Sequence, residues 1–175
     1  MCVRRRAIGV CALLLAVSFA LRAQTALGTP QEQFQNLATQ AVQLSKQGKN
    51  AEAMSIAQDA LRLAETTFGP EDEQVAQTLR FIGGLYQGQA KWADAERVHQ
   101  RALAILEKKL GADDLRLGYL LNHLAVDERE LERYPQAESL YLRALVIAEN
   151  KLGPNDLGTI TVRWTPKVGQ NLAVA

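Results

Sequence analysis

Apolar residues recur along this chain three, four and seven positions apart, the spacing that gathers side chains on one face of an α-helix. Over residues 31–47 that face holds Phe34, Leu37, Ala38, Ala41, Val42 and Leu44. From Asn50 it holds Ala53, Ile56, Ala57, Ala60, Leu61, Ala64 and Phe68. The same spacing predicts helices over 73–87, 92–110, 115–131 and 135–152, with Leu79, Ile82 and Tyr86 and then Leu121 and Leu124 as bulky facing positions. No segment alternates apolar and polar residues with the period of two that a half-buried strand shows, so the expected class is all-α.

The helical pattern repeats. Residues 92–110 (WADAERVHQRALAILEKKL) return 42 positions later as 134–152 (YPQAESLYLRALVIAENKL), and a fainter copy lies 42 positions earlier. Ala53, Ala95 and Ala137 align without a gap, as do Ala60, Ala102 and Ala144, and Asp72, Asp114 and Asp156. A period of this length marks a supersecondary unit that cannot bury its apolar face alone and stacks on its neighbours. Each unit is punctuated alike. Gly48 is expected to close the first helix, and Gly69, Gly111 and Gly153 to supply left-handed caps. The acidic residues after these glycines cap the next helix and complement its dipole. The alanines at 53, 95 and 137 let the second helix of each pair approach the first closely, with Gly83 and Ala125 as the matching small sites.

With those residues in place, the chain resembles the tetratricopeptide repeat family. The second repeat carries the pattern best, through Leu79, Ile82-Gly83, Tyr86, Trp92, Ala95 and Ala102. The family's usual period is about 34 residues; the surplus lengthens each pair by about two turns. The longer form resembles the kinesin light chain type, with a linker at 68–76 (FGPEDEQVA) and the helix motif Leu121-Asn122-His123-Leu124-Ala125. The resemblance implies a superhelical solenoid of about three helix-turn-helix repeats, near 31–69, 73–111 and 115–153. The first repeat departs by lacking large aromatics and by Gln40 at an apolar position. A fourth unit begins after Asp156, but Arg163 and Pro166 stand where leucines belong, and Asn171-Leu172-Ala173 comes six residues late. Residues 157–175 are thus expected to be an incomplete fourth repeat or a C-terminal cap.

The N-terminal residues change the reading of composition. Arg4, Arg5 and Arg6 precede fifteen uncharged residues, 7–21, with small residues at Ala20 and Ala23. A basic start, a short apolar run and a small residue before the cut describe a secretory signal peptide, 1–23, followed by a polar join at 24–30. The apolar run is shorter than the roughly 20 residues of a spanning helix, so no stable membrane span is expected after cleavage. The expected location is secreted or periplasmic; the alternative is a chain tethered by an uncleaved signal. Cleavage removes both cysteines and lowers the basic count from 20 to 16 against 19 acidic residues, a net charge of −3. That excludes disulfides and thiolate metal sites, and leaves no basic field for nucleic acid.

No HExxH, phosphate loop or Ser–His–acid arrangement is present, so neither an enzyme nor a cofactor or metal site is expected. Gly83-Gly84 reads as a packing site rather than a phosphate loop. His99, aligned with Tyr141, reads as a packing residue with a polar tip, and Trp92 and Tyr134 read as core. The run Asp127-Glu128-Arg129-Glu130 and the pair Lys108-Lys109 read as solvated charge. What remains is a shape. By the resemblance, the first helices line a concave groove whose positions are Gln77, Arg80, Phe81 and Gly84 in the second repeat and Tyr119, Asn122, His123 and Val126 in the third. Arg80, Asn122 and His123 would hold a peptide backbone or carboxylate, and Phe81 and Tyr119 would add apolar contact. The implied function is a non-catalytic module that binds a peptide or protein partner. Self-assembly through the C-terminal repeat, or a recognition domain cut from a larger enzyme or signalling protein, are the alternatives.

Overall fold

The computed structural model describes residues 28–111, 113–154 and 156; the leader pattern and the incomplete fourth unit fall outside them. Six helices follow in order: α1 (Pro30–Lys46), α2 (Asn50–Phe68), α3 (Glu73–Gln87), α4 (Trp92–Leu110), α5 (Leu115–Glu130) and α6 (Tyr134–Leu152). No strand occurs among the described residues. Each helix packs against the next in sequence, so α1–α2, α3–α4 and α5–α6 are antiparallel pairs and the pairs stack in chain order. This is an α-α superhelix of three helix pairs.

Helix starts follow from local chemistry. Thr29 caps α1 by accepting from Glu32 N, while the Glu32 side chain accepts from Thr29 N at 2.7 Å, a reciprocal box behind Pro30. Asp72 accepts from Gln74 N at 3.0 Å and Asp114 from Arg116 N at 2.9 Å. The Arg116 guanidinium and backbone N–H together hold the Asp114 carboxyl down to about 2.

The glycine turns are a correction to the expected left-handed caps. Gly48 is left-handed in φ, at 77°. Gly69, Gly111 and Gly153 instead pair φ of 96°, 77° and 89° with ψ of 155°, 173° and 162°. That corner of backbone space is essentially closed to residues with a Cβ. Its extended ψ sends the chain straight out of one pair toward the extended cap of the next helix, Asp72 or Asp114. Glycine is therefore required at the junction between repeats for a different reason than a helix cap.

Within each pair the turn takes the left-handed form. Ala90 (φ 56°) and Glu132 (φ 62°) stand at the repeat positions of Gly48 and adopt the same positive φ without glycine's freedom. A repeated geometry has overridden local preference at two of its three sites.

The core combines alanines at fixed register on the second helices with large residues from both helices of each pair. Ala53, Ala95, Ala60, Ala102 and Ala144 are fully buried, and Ala137 nearly so. Val75, Leu79, Leu117, Leu120 and Leu121 form one continuous cluster with Ala60, Ala102, Ala144, Phe34, Ile105, Leu106 and Ile147, while Ala53 and Ala137 belong to two smaller ones. Phe34 and Phe68 close its first end in an edge-to-face contact at 5.4 Å. The expected core aromatics fare less well: Trp92 is half-buried and Tyr134 is 50% exposed, because the buried stripe of α6 begins only at Ala137.

A left-handed residue with a Cβ carries about 1–2 kcal/mol of strain, while glycine costs about 0.5–1 kcal/mol of extra chain entropy. Ala90→Gly and Glu132→Gly are each expected to stabilise the fold by up to about 1 kcal/mol. Urea denaturation checks this, with Gly48→Ala expected to move the midpoint the opposite way.

Candidate functional site

Among the first helices α1, α3 and α5, α3 is flanked by two clefts. The first has a volume of about 400 Å3 and opens between α1 and α3 over Ala57 and Ala60, lined by Phe34, Ala38, Val42, Gln77, Arg80 and Phe81 among others. The second, of about 300 Å3, lies between α3 and α5, lined by Ala76, Gln77, Arg80, Leu106, Arg116 and Tyr119. Gln77 and Arg80, one turn apart on α3, belong to both. Arg80 is exposed, and no hydrogen bond or ion pair holds it among the described residues. Arg116 is held by Glu73 at 2.5 Å and by Asp114 at 2.9 Å. Around α3 the walls mix apolar side chains with Gln74, Gln77 and Thr78, and Arg80 is their guanidinium without a partner among the described residues.

The structure divides the eight expected groove positions. Gln77, Arg80 and Phe81 line the first cleft, and Gln77, Arg80 and Tyr119 the second; Tyr119 is 49% exposed. Gly84 faces open space on α3, where an added Cβ would meet nothing within 4 Å. Asn122, His123 and Val126 are half-buried and line neither cleft. Val126 packs against the cluster of Ala125, Ala137 and Tyr141. Asn122 Oδ1 is fully covered and has no hydrogen-bond partner.

His123 belongs to a buried polar cluster instead. Asp127 lies at the repeat position of Leu85, is fully buried, and its Oδ2 sits 2.5 Å from His99 Nδ1. The carboxylate can only accept, so Nδ1 donates, and in the neutral ring Nε2 carries the lone pair. Gln87 Nε2 donates to Asp127 Oδ1 at 2.7 Å and to the His123 carbonyl at 3.1 Å. Gln87 Oε1 lies 3.1 Å from His123 Nδ1, which then donates to it. The two imidazoles are 5.4 Å apart. Burial above all, with the neighbouring His99 and Arg80 adding to it against Asp127, pushes the His123 imidazole down to about 4.

One expectation is corrected here. Asp127 and Glu128 are not solvated: they are 0% and 6% exposed, since the third repeat puts them where Leu85 and Tyr86 stand in the second. Glu128 is held by Arg133 at 3.2 Å, and Arg133 also reaches Glu96 at 2.9 Å. Burial raises the Glu128 carboxyl above its ordinary range, and Glu96 beside it pushes the same way. His99 is the expected packing residue with a polar tip: it is fully buried, and that tip holds the Asp127 carboxylate. Removing one partner from such a pair costs roughly 3–5 kcal/mol. The sequence signal was the register: a charged residue 42 positions after a core leucine points inward. Lys108 and Lys109 are exposed, as expected, and meet Glu71 and Asp72 across the repeat boundary.

Among the described residues no group of three or more His, Cys, Asp or Glu could hold a metal, and no helix is long and apolar enough to cross a membrane.

Antiparallel helix pairs stacked in chain order, with small residues in fixed register and clefts along the first helices, define a helical-repeat solenoid of the interaction-module class. Family models described as tetratricopeptide repeat match residues 34–108 and 118–157, and the chain belongs to that family. Repeats of this kind are generally protein–protein interaction modules, and the fold is typically non-catalytic. No curated protein matches the sequence. Among solved structures, the chain is similar to BtubC (BKLC) from P. vanneervenii, with a TM-score of 0.69, 19% identity, and coverage of 83% of this chain and 60% of that one. It is similar to the TPR domain of Arabidopsis FLU, with a TM-score of 0.63, 18% identity, and coverage of 70% of this chain and 100% of that one. It is also similar to the nearly identical TPR-like repeats of a kinesin light chain-type protein of Podospora anserina, with a TM-score of 0.69, 15% identity, and coverage of 77% and 64%. The chain thus spans under two thirds of the first and third of these. At such identities the likeness is one of fold, and it includes the kinesin light chain type.

Gly83 offers a sharp test of the cluster. A Cβ there would lie 2.5 and 2.6 Å from Cδ2 and Cε1 of His99, and nearer still to Nε2. The ring cannot retreat without releasing Asp127. Gly83→Ala is expected to cost at least the roughly 1–3 kcal/mol of an overpacked core. Gly84→Ala, next door in open space, should be neutral or slightly stabilising. Equal melting temperatures for the two variants would contradict the packing described.

Proposed function

We propose that the inner face takes a peptide or protein segment that carries a carboxylate beside an apolar side chain, seated against α3. The observation that supports this reading is Arg80: exposed, free of ion pairs and shared by both clefts, with Phe34, Phe81 and Leu106 as apolar walls. Gln77, one turn away, adds a donor and an acceptor for a peptide backbone. Asn122 and His123 act in this reading behind the binding surface rather than on it. A hydrogen bond to a charged group contributes on the order of 1.5–3 kcal/mol, or about ten- to a hundredfold in affinity. Peptides selected from a random library on the immobilised protein should therefore be enriched in Asp, Glu or free C-termini. Arg80→Ala should weaken them by at least about tenfold with unchanged helical circular dichroism, and Phe81→Ala should weaken them as well. Peptides that bind both variants as tightly as the parent would sink the reading.

A second reading is self-association through the last repeat. It is favoured by Leu142 and Val146, 53% and 54% exposed on α6, where the earlier repeats place Gln58 and Gln100, and Arg62 and Ala104. In either case we read the chain as exported, from the basic and apolar pattern of residues 1–23. Intact-mass measurement of the material recovered outside the cytoplasm is expected to show cleavage after Ala23; an uncleaved chain confined to the cytoplasm would refute it.

A further inference from the structure

We infer that the α1–α3 cleft holds the apolar side chain of the bound segment, so that the first repeat is a wall of the binding site and the α3–α5 cleft is its margin. The inference rests on the reading of Arg80 given above. It assigns the half of the site that Arg80 does not, through Phe34, Ala38 and Val42 on α1.

The two clefts share Gln77 and Arg80 and differ in the rest of their lining. In the α1–α3 cleft Arg80 is the one ionised side chain among the described residues, and the buried methyl groups of Ala57 and Ala60 lie beneath it. Its uncharged polar residues include Gln35 and Thr39, which are exposed. The α3–α5 cleft carries Arg116 as well, with Glu73 and Asp114 on its guanidinium. An apolar side chain entering there would take water from three more charged groups, which opposes the gain from its own burial. No such cost arises against Phe34, Ala38 and Val42. Val42 is itself a large apolar residue left 38% exposed.

The repeat explains why the clefts differ. Ala57 stands at the place of His99 and Tyr141, and Ala41 at the place of Gly83. In the second repeat the His99 imidazole lies against Gly83 and reaches Asp127, so side chains fill the space between α3 and α5. In the first repeat Ala57 ends at a methyl group, and the cleft over it is what that truncation leaves. Ala38 holds on α1 the repeat position that Arg80 holds on α3, and Val42 lies about one turn beyond it. A carboxylate on Arg80 therefore has its neighbouring side chain opposite an apolar strip. The first repeat serves the site through its smallness at position 57.

N-acetyl-phenylalanine is the probe, a small carrier of an apolar side chain beside a carboxylate, with N-acetyl-phenylalanine amide as the uncharged control. Methyl resonances of the whole chain are followed as either is added at millimolar concentration, so the first result does not require a variant to fold. The acid should shift the methyls of Ala38 and Val42 and leave Leu106 nearly unmoved. The amide should bind at least about tenfold more weakly. Val42→Glu, at an exposed position, should weaken the acid by a similar factor with unchanged helical circular dichroism. Tyr119→Ala should alter its affinity by no more than about twofold. Shifts gathered at Leu106 and Tyr119 that vanish in Arg80→Ala would overturn the inference while sparing the reading of Arg80. Equal binding of acid and amide would sink that reading, and the inference with it. An absence of shifts at either cleft would overturn the inference too. So would cleft methyls that move on raising the protein concentration alone, since a second copy would then occupy the cleft.

Discussion

The close approach of paired helices at alanine is the constraint on which the rest of this structure depends. Ala53, Ala95 and Ala137, with Ala60, Ala102 and Ala144, present almost nothing beyond the backbone at the crossing points. The bulk that fills the space between pairs comes from Val75, Leu79, Leu117, Leu120 and Leu121 on the facing helices, joined by Ile105, Leu106 and Ile147. Because the small and large sets recur with the same period, each pair meets its neighbour in the same way. The result is a stack of pairs whose first helices, α1, α3 and α5, follow in order. The clefts flanking α3 are what remains between those helices once the alanine contacts have fixed their spacing.

Much of this was open to reading from the chain alone, because two periods act together. The 3.6-residue helical period finds the helices, and the 42-residue period confirms them by repetition; the ranges 73–87 and 92–110 coincide with α3 and α4. The turns were less legible. A glycine announces a positive φ, but it does not say whether ψ is left-handed or extended, and nothing in Ala90 or Glu132 announces one at all. Of the positions that the resemblance implied, Gln77, Arg80 and Phe81 on α3 and Tyr119 on α5 line the two clefts, while Gly84 lines neither. Asn122 and His123 line neither cleft: His123 is tied through Gln87 to the buried Asp127, while Asn122 Oδ1 is covered without a partner. Read as a local run, residues 127–130 look solvated. Read in register, the first two replace a leucine and a tyrosine and must be inside.

The exposed ion pairs and the buried His99–Asp127 hydrogen bond are unequal. On the outside, Glu65 meets Arg101 at 2.6 Å and, one repeat on, Glu107 meets Arg143 at 2.5 Å. These rungs span successive second helices, but exposed pairs of this sort contribute little, about 0–1 kcal/mol each, and salt screens them. The His99–Asp127 pair is dry on both sides. Taking it out of water costs much of what the attraction returns, so its net contribution to stability is small while the penalty for separating its members is large. It contributes more to uniqueness of assembly than to strength.

That uniqueness bears on how such an array could be built or rearranged. Most of the contacts between these repeats are generic, and a solenoid of generic contacts could have its units duplicated, deleted or shuffled without much loss. The carboxylate of Asp127 forbids it at one boundary. If the third repeat followed the first directly, Asp127 would meet Ala57 in the place of His99 and the shorter Ser45 in the place of Gln87, and its carboxylate would lose the imidazole N–H that now holds it. The second and third repeats are thus addressed to one another, and they can be inherited or transplanted only as a pair.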